Sequence, residues 1–172
     1  MRPFYPTPGT VVPPLWSRRQ AVTGLLLAAA SSACDHRRAG REPIVLFVCQ
    51  AGTAKSPIAR EIFRRRAAIR HIAVTAFSRG LVIEDHVSPG LKLQLAADGI
   101  DPGADPYQAL TEQDWQRADI LVWFNSLPPQ VKHRNLRDWS DLPSFNDSFA
   151  IARPILDRRI DALLDELANR RF

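Results

Sequence analysis

Apolar positions fall into two alternating rhythms after residue 43. Ile44-Val45-Leu46-Phe47-Val48 is an unbroken apolar run, bounded by Pro43 and a small-residue loop, and reads as a buried strand. From Pro57 to Ile69 the pattern changes to helical spacing, with Ile58, Ala59, Ile62, Phe63 and Ala67 on one face. Arg60, Arg64, Arg65 and Arg66 occupy the other face, which reads as solvated, with a partner-binding patch as the alternative. Ile72–Phe77 reads as a second strand. Ser88–Ala97 opens on Ser-Pro and stops at Asp98-Gly99, good signals for a helix start and stop. Asp101–Tyr107 is a turn-rich loop. Leu110–Ala118 reads as a helix with Thr111 as N-cap. Asp119–Phe124 is apolar on both faces, as a central parallel strand should be. A short helix broken by Pro128-Pro129 is expected over 127–134, and a short fourth strand over 136–139. A long amphipathic helix is expected over 151–168, with Pro154 near its first turn.

Strands that alternate with helices predict an α/β domain: a four-stranded parallel sheet covered on both sides, three layers in all. Ligand sites in such sheets lie beyond the strand C-termini. Cys49, Ser78-Arg79, Asn125-Ser126 and the loop from Trp139 to Ser148 all fall there. The loop Gln50-Ala51-Gly52-Thr53-Ala54, followed by Lys55 and Ser56 at the helix start, supplies inward amides and the positive end of a helix dipole. That builds an oxyanion pocket over residues 50–56 with Cys49 at its floor. The same field favours the thiolate, the reactive form of cysteine. Gly52 suits a loop that must turn its amides inward at positive φ. The chemistry implied is nucleophilic attack on a phosphate or similar oxyanion.

Composition adds an address and removes some partners. The chain has 172 residues and a formal net charge of +5. Three of those charges are Arg2, Arg18 and Arg19, in a stretch of 33 residues without acids. The remainder is too mildly basic to predict nucleic-acid binding. Ser17-Arg18-Arg19-Gln20 precedes an apolar run of about a dozen residues, short of the ~20 that span a bilayer. Paired arginines before a weakly apolar segment resemble a twin-arginine export signal, which implies a bacterial periplasmic location. Ser32-Ala33-Cys34 also resembles a lipoprotein cleavage site, where Cys34 would be acylated and anchor the chain to the membrane. A cytoplasmic location is the alternative. The expected organisation is an export segment over 1–34, a polar linker over 35–42 and one domain over 43–172. The two cysteines, Cys34 and Cys49, have no metal-ligand spacing, so neither a metal nor a cofactor is expected.

The stretch Cys49-Gln50-Ala51-Gly52-Thr53-Ala54-Lys55-Ser56, just after the first strand, resembles the signature of the low-molecular-weight protein tyrosine phosphatases: Cys, five residues, Arg, Ser. Ser78-Arg79-Gly80-Leu81 is similar to the family's Ser-Ala-Gly stretch after the second strand. Leu110–Asp114 followed by Ala118–Val122 is similar to its helix leading into the third strand. The resemblance implies a flavodoxin-like fold and hydrolysis of a phosphorylated protein or small phosphate ester through a phosphocysteine on Cys49. It also implies that Ser56 stabilises the thiolate.

Two positions depart from the family. Lys55 stands where the family has arginine. Ammonium makes a point contact where guanidinium grips two oxygens. The family's leaving-group acid is an Asp-Pro pair in the loop after the last strand, and no such pair exists in Trp139–Asp147. An ungapped match puts Ser144 in the acid's slot, with Asp141 and Asp147 near enough to substitute. Both are alternatively ordinary turn or capping residues. Reduced phosphatase activity is therefore expected. The alternatives are a non-catalytic oxyanion-binding module and, less well supported, an arsenate reductase, whose chemistry needs further thiols. A nucleotide-binding P-loop would need both of its glycines replaced.

Overall fold

The computed structural model describes residues 41–126 and 131–169. The export segment with Cys34, most of the linker and residues 127–130 of the expected short helix lie outside the described residues. The elements are β1 (Ile44–Cys49), α1 (Lys55–Ile69), β2 (Thr75–Gly80), α2 (Pro89–Ala97), α3 (Glu112–Arg117), β3 (Ile120–Trp123), β4 (Leu136–Asp138) and α4 (Phe145–Asn169). The four strands form one parallel sheet in the order β2-β1-β3-β4. The chain leaves β1 to one side for β2 and returns on the other side for β3. The C-terminal end of β1 is thus the crevice where parallel sheets bind ligands.

Alternation along β1 divides the core between the two sheet faces. Val45, Phe47 and Cys49 face a cluster with Ile58, Phe63, Leu91, Phe145, Leu156 and Ile160, from α1, α2 and α4. Leu46 and Val48 face a smaller cluster with Phe77, Leu121 and Trp123, capped by Trp115 of α3. Phe47 is fully buried, its ring 5.4 Å from Phe63 and 6.3 Å from Trp139.

Three boundaries differ from the sequence reading. Ile72 and Val74 pack on the core, but pairing with β1 begins only at Thr75. The residues before it finish the α1 cap: His71 takes φ 54°, and the amides of His71 and Ile72 reach the carbonyls of Ala68 and Ala67. At the other end, α4 begins six residues earlier than expected. Phe145 and Phe149, one turn apart and both buried, carry it back across a kink at Ser148. Pro154 therefore sits beyond the kink, inside α4. Residues 131–135 are irregular, so the expected helix over 127–134 does not extend through them.

One ion-pair cluster fixes the end of β2 against α3. Arg79 grips Asp114 with both arms, at 2.7 and 3.1 Å, and Arg117 adds a third bond at 2.8 Å. Asp114 also closes the capping box of α3 with Thr111. Burial would raise its carboxyl pKa, but the bonds from Arg79 and Thr111 outweigh burial and hold it below the usual range. This stability is fully present above the ordinary carboxylate value and is lost as pH falls through the lower folded-state value. Asp114→Asn should thus destabilise the domain by about 3 kcal/mol at pH 7, as for a broken buried pair. In urea unfolding the gap to the parent protein should narrow below about pH 4.

Candidate active site

The loop after β1 is held by its carbonyls. Leu81, Val82 and Glu84, just past β2, donate their amides to the carbonyls of Cys49, Gln50 and Ala51 at 3.1, 3.0 and 3.1 Å. A planar trans peptide points its C=O and the next N–H in opposite directions. Tying those three carbonyls outward turns the amides of Gln50, Ala51 and Gly52 the other way. Among the described residues, none of the amides from 50 to 56 donates to another protein group. The helix start adds to this supply. Ala54 is the N-cap of α1 and offers no side-chain cap, where Ser, Thr, Asp or Asn is preferred. The first-turn amides of α1 are left for an anion.

Glycine is required at two places. Gly52 takes φ +68°. A Cβ on it would stand 2.8 Å from the Cα of Gly80. A Cβ on Gly80 would stand 2.2 Å from the Val82 carbonyl oxygen and 2.7 Å from the Cα of Gly52. The two backbones pass at a separation that no side chain permits. Thr53 fastens the same loop beyond them. Its hydroxyl donates to the Glu84 carbonyl at 2.6 Å and accepts from the His86 amide at 3.2 Å.

Cys49, Gln50, Ala51, Ala54 and Lys55 line a cavity of about 210 Å³. Cys49 is buried, and its Sγ lies 3.0 Å from the Ser56 hydroxyl. That hydroxyl also reaches the Arg79 carbonyl at 3.2 Å. With a neutral thiol, Cys49 can donate to Ser56 while Ser56 donates to Arg79. With a thiolate, the Ser56 proton can turn to sulfur, so one rotor serves both states. Lys55 donates its ammonium to the Leu142 carbonyl at 2.8 Å. Burial lowers its pKa below that of an ordinary lysine, opposed by the charges of Cys49 and Asp141.

Several residues expected at the site are elsewhere or have structural work. Asp141 does not line the cavity. Its carboxylate is held by both arms of Arg159, at 2.8 and 2.5 Å, and these bonds lower its pKa. A carboxyl engaged in this way is a poor proton donor. Asp147 lies in the first turn of α4 and is likewise not part of the lining. Gly52, Thr53 and Ser56 shape the loop and the thiol rather than the cavity wall. Ser78 accepts from buried Arg60 at 2.9 Å, and Arg79 serves Asp114. Asn125 does line the cavity, as does Ser144 in the slot expected for the acid, with Phe145 and Asn146 beside it. Glu84, His86 and Phe124 complete the lining and were not anticipated. The available clue was position: residues 81–87 follow the C-terminal end of β2, the same end of the sheet as Cys49.

This loop and its strand lie within a wider match. Residues 44–135 match the model of the low molecular weight phosphotyrosine protein phosphatases. The chain belongs to that family. Solved structures agree on the fold. YfkJ from Bacillus subtilis is 21% identical with a TM-score of 0.63, covering 76% of this chain and 97% of its own. A YwlE arginine phosphatase, captured as a Cys-to-Ser mutant with a phosphorylated active-site serine, is 17% identical with a TM-score of 0.60 over 74% and 97%. A thioredoxin-dependent arsenate reductase from Corynebacterium glutamicum is 20% identical with a TM-score of 0.60 over 76% and 64%. Comparison with curated proteins finds no sequence match. For this phosphatase-family loop, the Gly52–Gly80 passage is the sharpest steric requirement. Gly80→Ala should weaken phosphate binding by about fivefold to a hundredfold, from an overpacking strain of about 1–3 kcal/mol. Gly90→Ala, whose Cβ meets nothing within 4 Å, should leave phosphate binding unchanged. Isothermal calorimetry on the two variants checks this.

Proposed function

We propose that this family member hydrolyses phosphotyrosine or small aryl phosphates through a phosphocysteine on Cys49, at a reduced rate. The observation that carries the reading is the Cys49 sulfur, 3.0 Å from the Ser56 hydroxyl, in a cavity beside a loop whose amides have no other protein acceptor among the described residues. The phosphate oxygens would take those amides. The Cys49 thiolate attacks phosphorus, the ester oxygen leaves, and water then cleaves the P–S bond.

The rate is reduced for two reasons. Lys55 supplies one point contact where a guanidinium would give two parallel bonds. Losing one charge-assisted bond costs about 1.5–3 kcal/mol, or roughly ten- to a hundredfold. Moreover, Ser144 holds the place of the acid. Those departures also support a second reading, a binding module that keeps the pocket without turnover. An arsenate reductase is less well supported, since Cys49 is the only cysteine in residues 43–172.

We also propose that the domain acts outside the cytoplasm, periplasmic or lipid-anchored through Cys34. This rests on Arg18-Arg19, the short apolar run and Ser32-Ala33-Cys34. An intact N-terminus on the protein recovered from the cytosol would sink it.

The activity is tested by hydrolysis of 4-nitrophenyl phosphate. The wild-type protein should exceed Cys49→Ser by at least tenfold. The pair Lys55→Arg with Ser144→Asp should raise the rate a further ten- to a hundredfold. Equal rates for wild type and Cys49→Ser, with phosphate still bound, would favour the binding module.

A further inference from the structure

We propose that His86 is the general acid of this site, replacing the aspartate that the loop before α4 lacks. The inference rests on the phosphatase reading above. A leaving alkoxide or phenoxide needs a proton from a group in the same cavity as the attacking sulfur. Four titratable residues line that cavity: Cys49, Lys55, Glu84 and His86. Cys49 is committed to phosphorus, and Lys55 is a cation bonded to the Leu142 carbonyl. The segment at the start of α4 contributes Ser144, Phe145 and Asn146, none of which carries a transferable proton near neutral pH. Asp141 is occupied by Arg159 outside the lining. Only Glu84 and His86 remain.

Electrostatics separates these two. A phosphate dianion repels a carboxylate and attracts an imidazolium. Imidazole is also the side chain that exchanges a proton most readily near neutrality. The backbone of His86 is fixed from both sides of the cavity. Its amide donates to the Thr53 hydroxyl of the anion loop at 3.2 Å. Its carbonyl accepts from the Asn146 side chain at 2.6 Å. The other end of that amide accepts from the Ser88 backbone at 2.9 Å. Thr53 and Asn146 thus clamp the segment that carries His86 between the nucleophile's loop and α4. Charged groups around it are Lys55 at the start of α1, Glu84 and Asp85 on its own segment, and Lys92 of α2, which reaches Asp85 at 3.5 Å.

In the first step the Cys49 sulfur bonds to phosphorus, the P–O ester bond breaks, and the imidazolium proton passes to the leaving oxygen. In the second, neutral imidazole takes a proton from the attacking water. The P–S bond breaks, and phosphate, thiolate and imidazolium are regenerated.

The test compares phenyl phosphate with 4-nitrophenyl phosphate across pH in wild type, His86→Gln, Glu84→Gln and Cys49→Ser. His86→Gln should lose roughly 10²–10⁴-fold on phenyl phosphate, the poorer leaving group, and much less on 4-nitrophenyl phosphate. It should also lose the alkaline limb of the pH–rate profile while retaining phosphate affinity within a few-fold. An unchanged leaving-group ratio in His86→Gln, or a steeper one in Glu84→Gln instead, overturns the assignment. A wild-type rate no higher than that of Cys49→Ser would overturn the hydrolase reading itself, and this assignment with it.

Discussion

Three backbone hydrogen bonds turn a strand end into an anion site. The amides of Leu81, Val82 and Glu84 hold the carbonyls of Cys49, Gln50 and Ala51 outward, and planar peptides then present the next amides inward. The arrangement needs β2 to continue past its last paired residue in close contact with the loop, which is why glycines face each other at 52 and 80. Without that contact the carbonyls and amides of the loop could exchange places, and the cavity would repel the anion it now suits. The ion pair of Arg79 with Asp114 anchors β2 one residue before this passage. A salt bridge remote from the cavity therefore supports its geometry.

The electrostatics of the site are built from backbone more than from side chains. Lys55 lines the cavity, yet burial lowers its pKa and its ammonium bonds to the Leu142 carbonyl. Loop amides and an uncapped helix start remain as fixed donors that need no reorganisation when charge arrives. An anion site of this kind tolerates lysine for arginine better than a site that relies on a guanidinium clamp. Catalysis is more exposed to the change, because the transition state gains from bidentate contact. On the proposed hydrolase reading, binding and turnover can separate for that reason.

The sequence made the frame legible because each feature was local. The apolar run over 44–48, the cysteine that ends it, and Gly52 all carry their meaning within a few residues, and β1, the loop and α1 follow. Ser144 lines the cavity at the offset that the family pattern gave it. The misplaced features depend on tertiary partners. β2 begins at Thr75 because β1 begins there, not because Ile72 and Val74 lack strand character. Asp141 reads in the sequence as a substitute acid or an ordinary turn or capping residue, and Arg159, 18 residues away, holds its carboxylate. Gly80 stood out in the sequence only through its likeness to the family's Ser-Ala-Gly stretch, since its steric requirement is the passing backbone of Gly52. Glu84 and His86 gave only a topological sign, their place after a parallel strand.

The central claim is that the amides of residues 50–56 form the anion site. Titrating the ¹⁵N-labelled protein with inorganic phosphate and following its amide resonances tests it most directly. The account predicts that the amides of Gln50, Ala51, Gly52, Thr53, Ala54, Lys55 and Ser56 shift together along one saturable curve, with small changes elsewhere. Saturable phosphate binding that leaves those amides unmoved, or shifts confined to the surface arginines of α1, would contradict it.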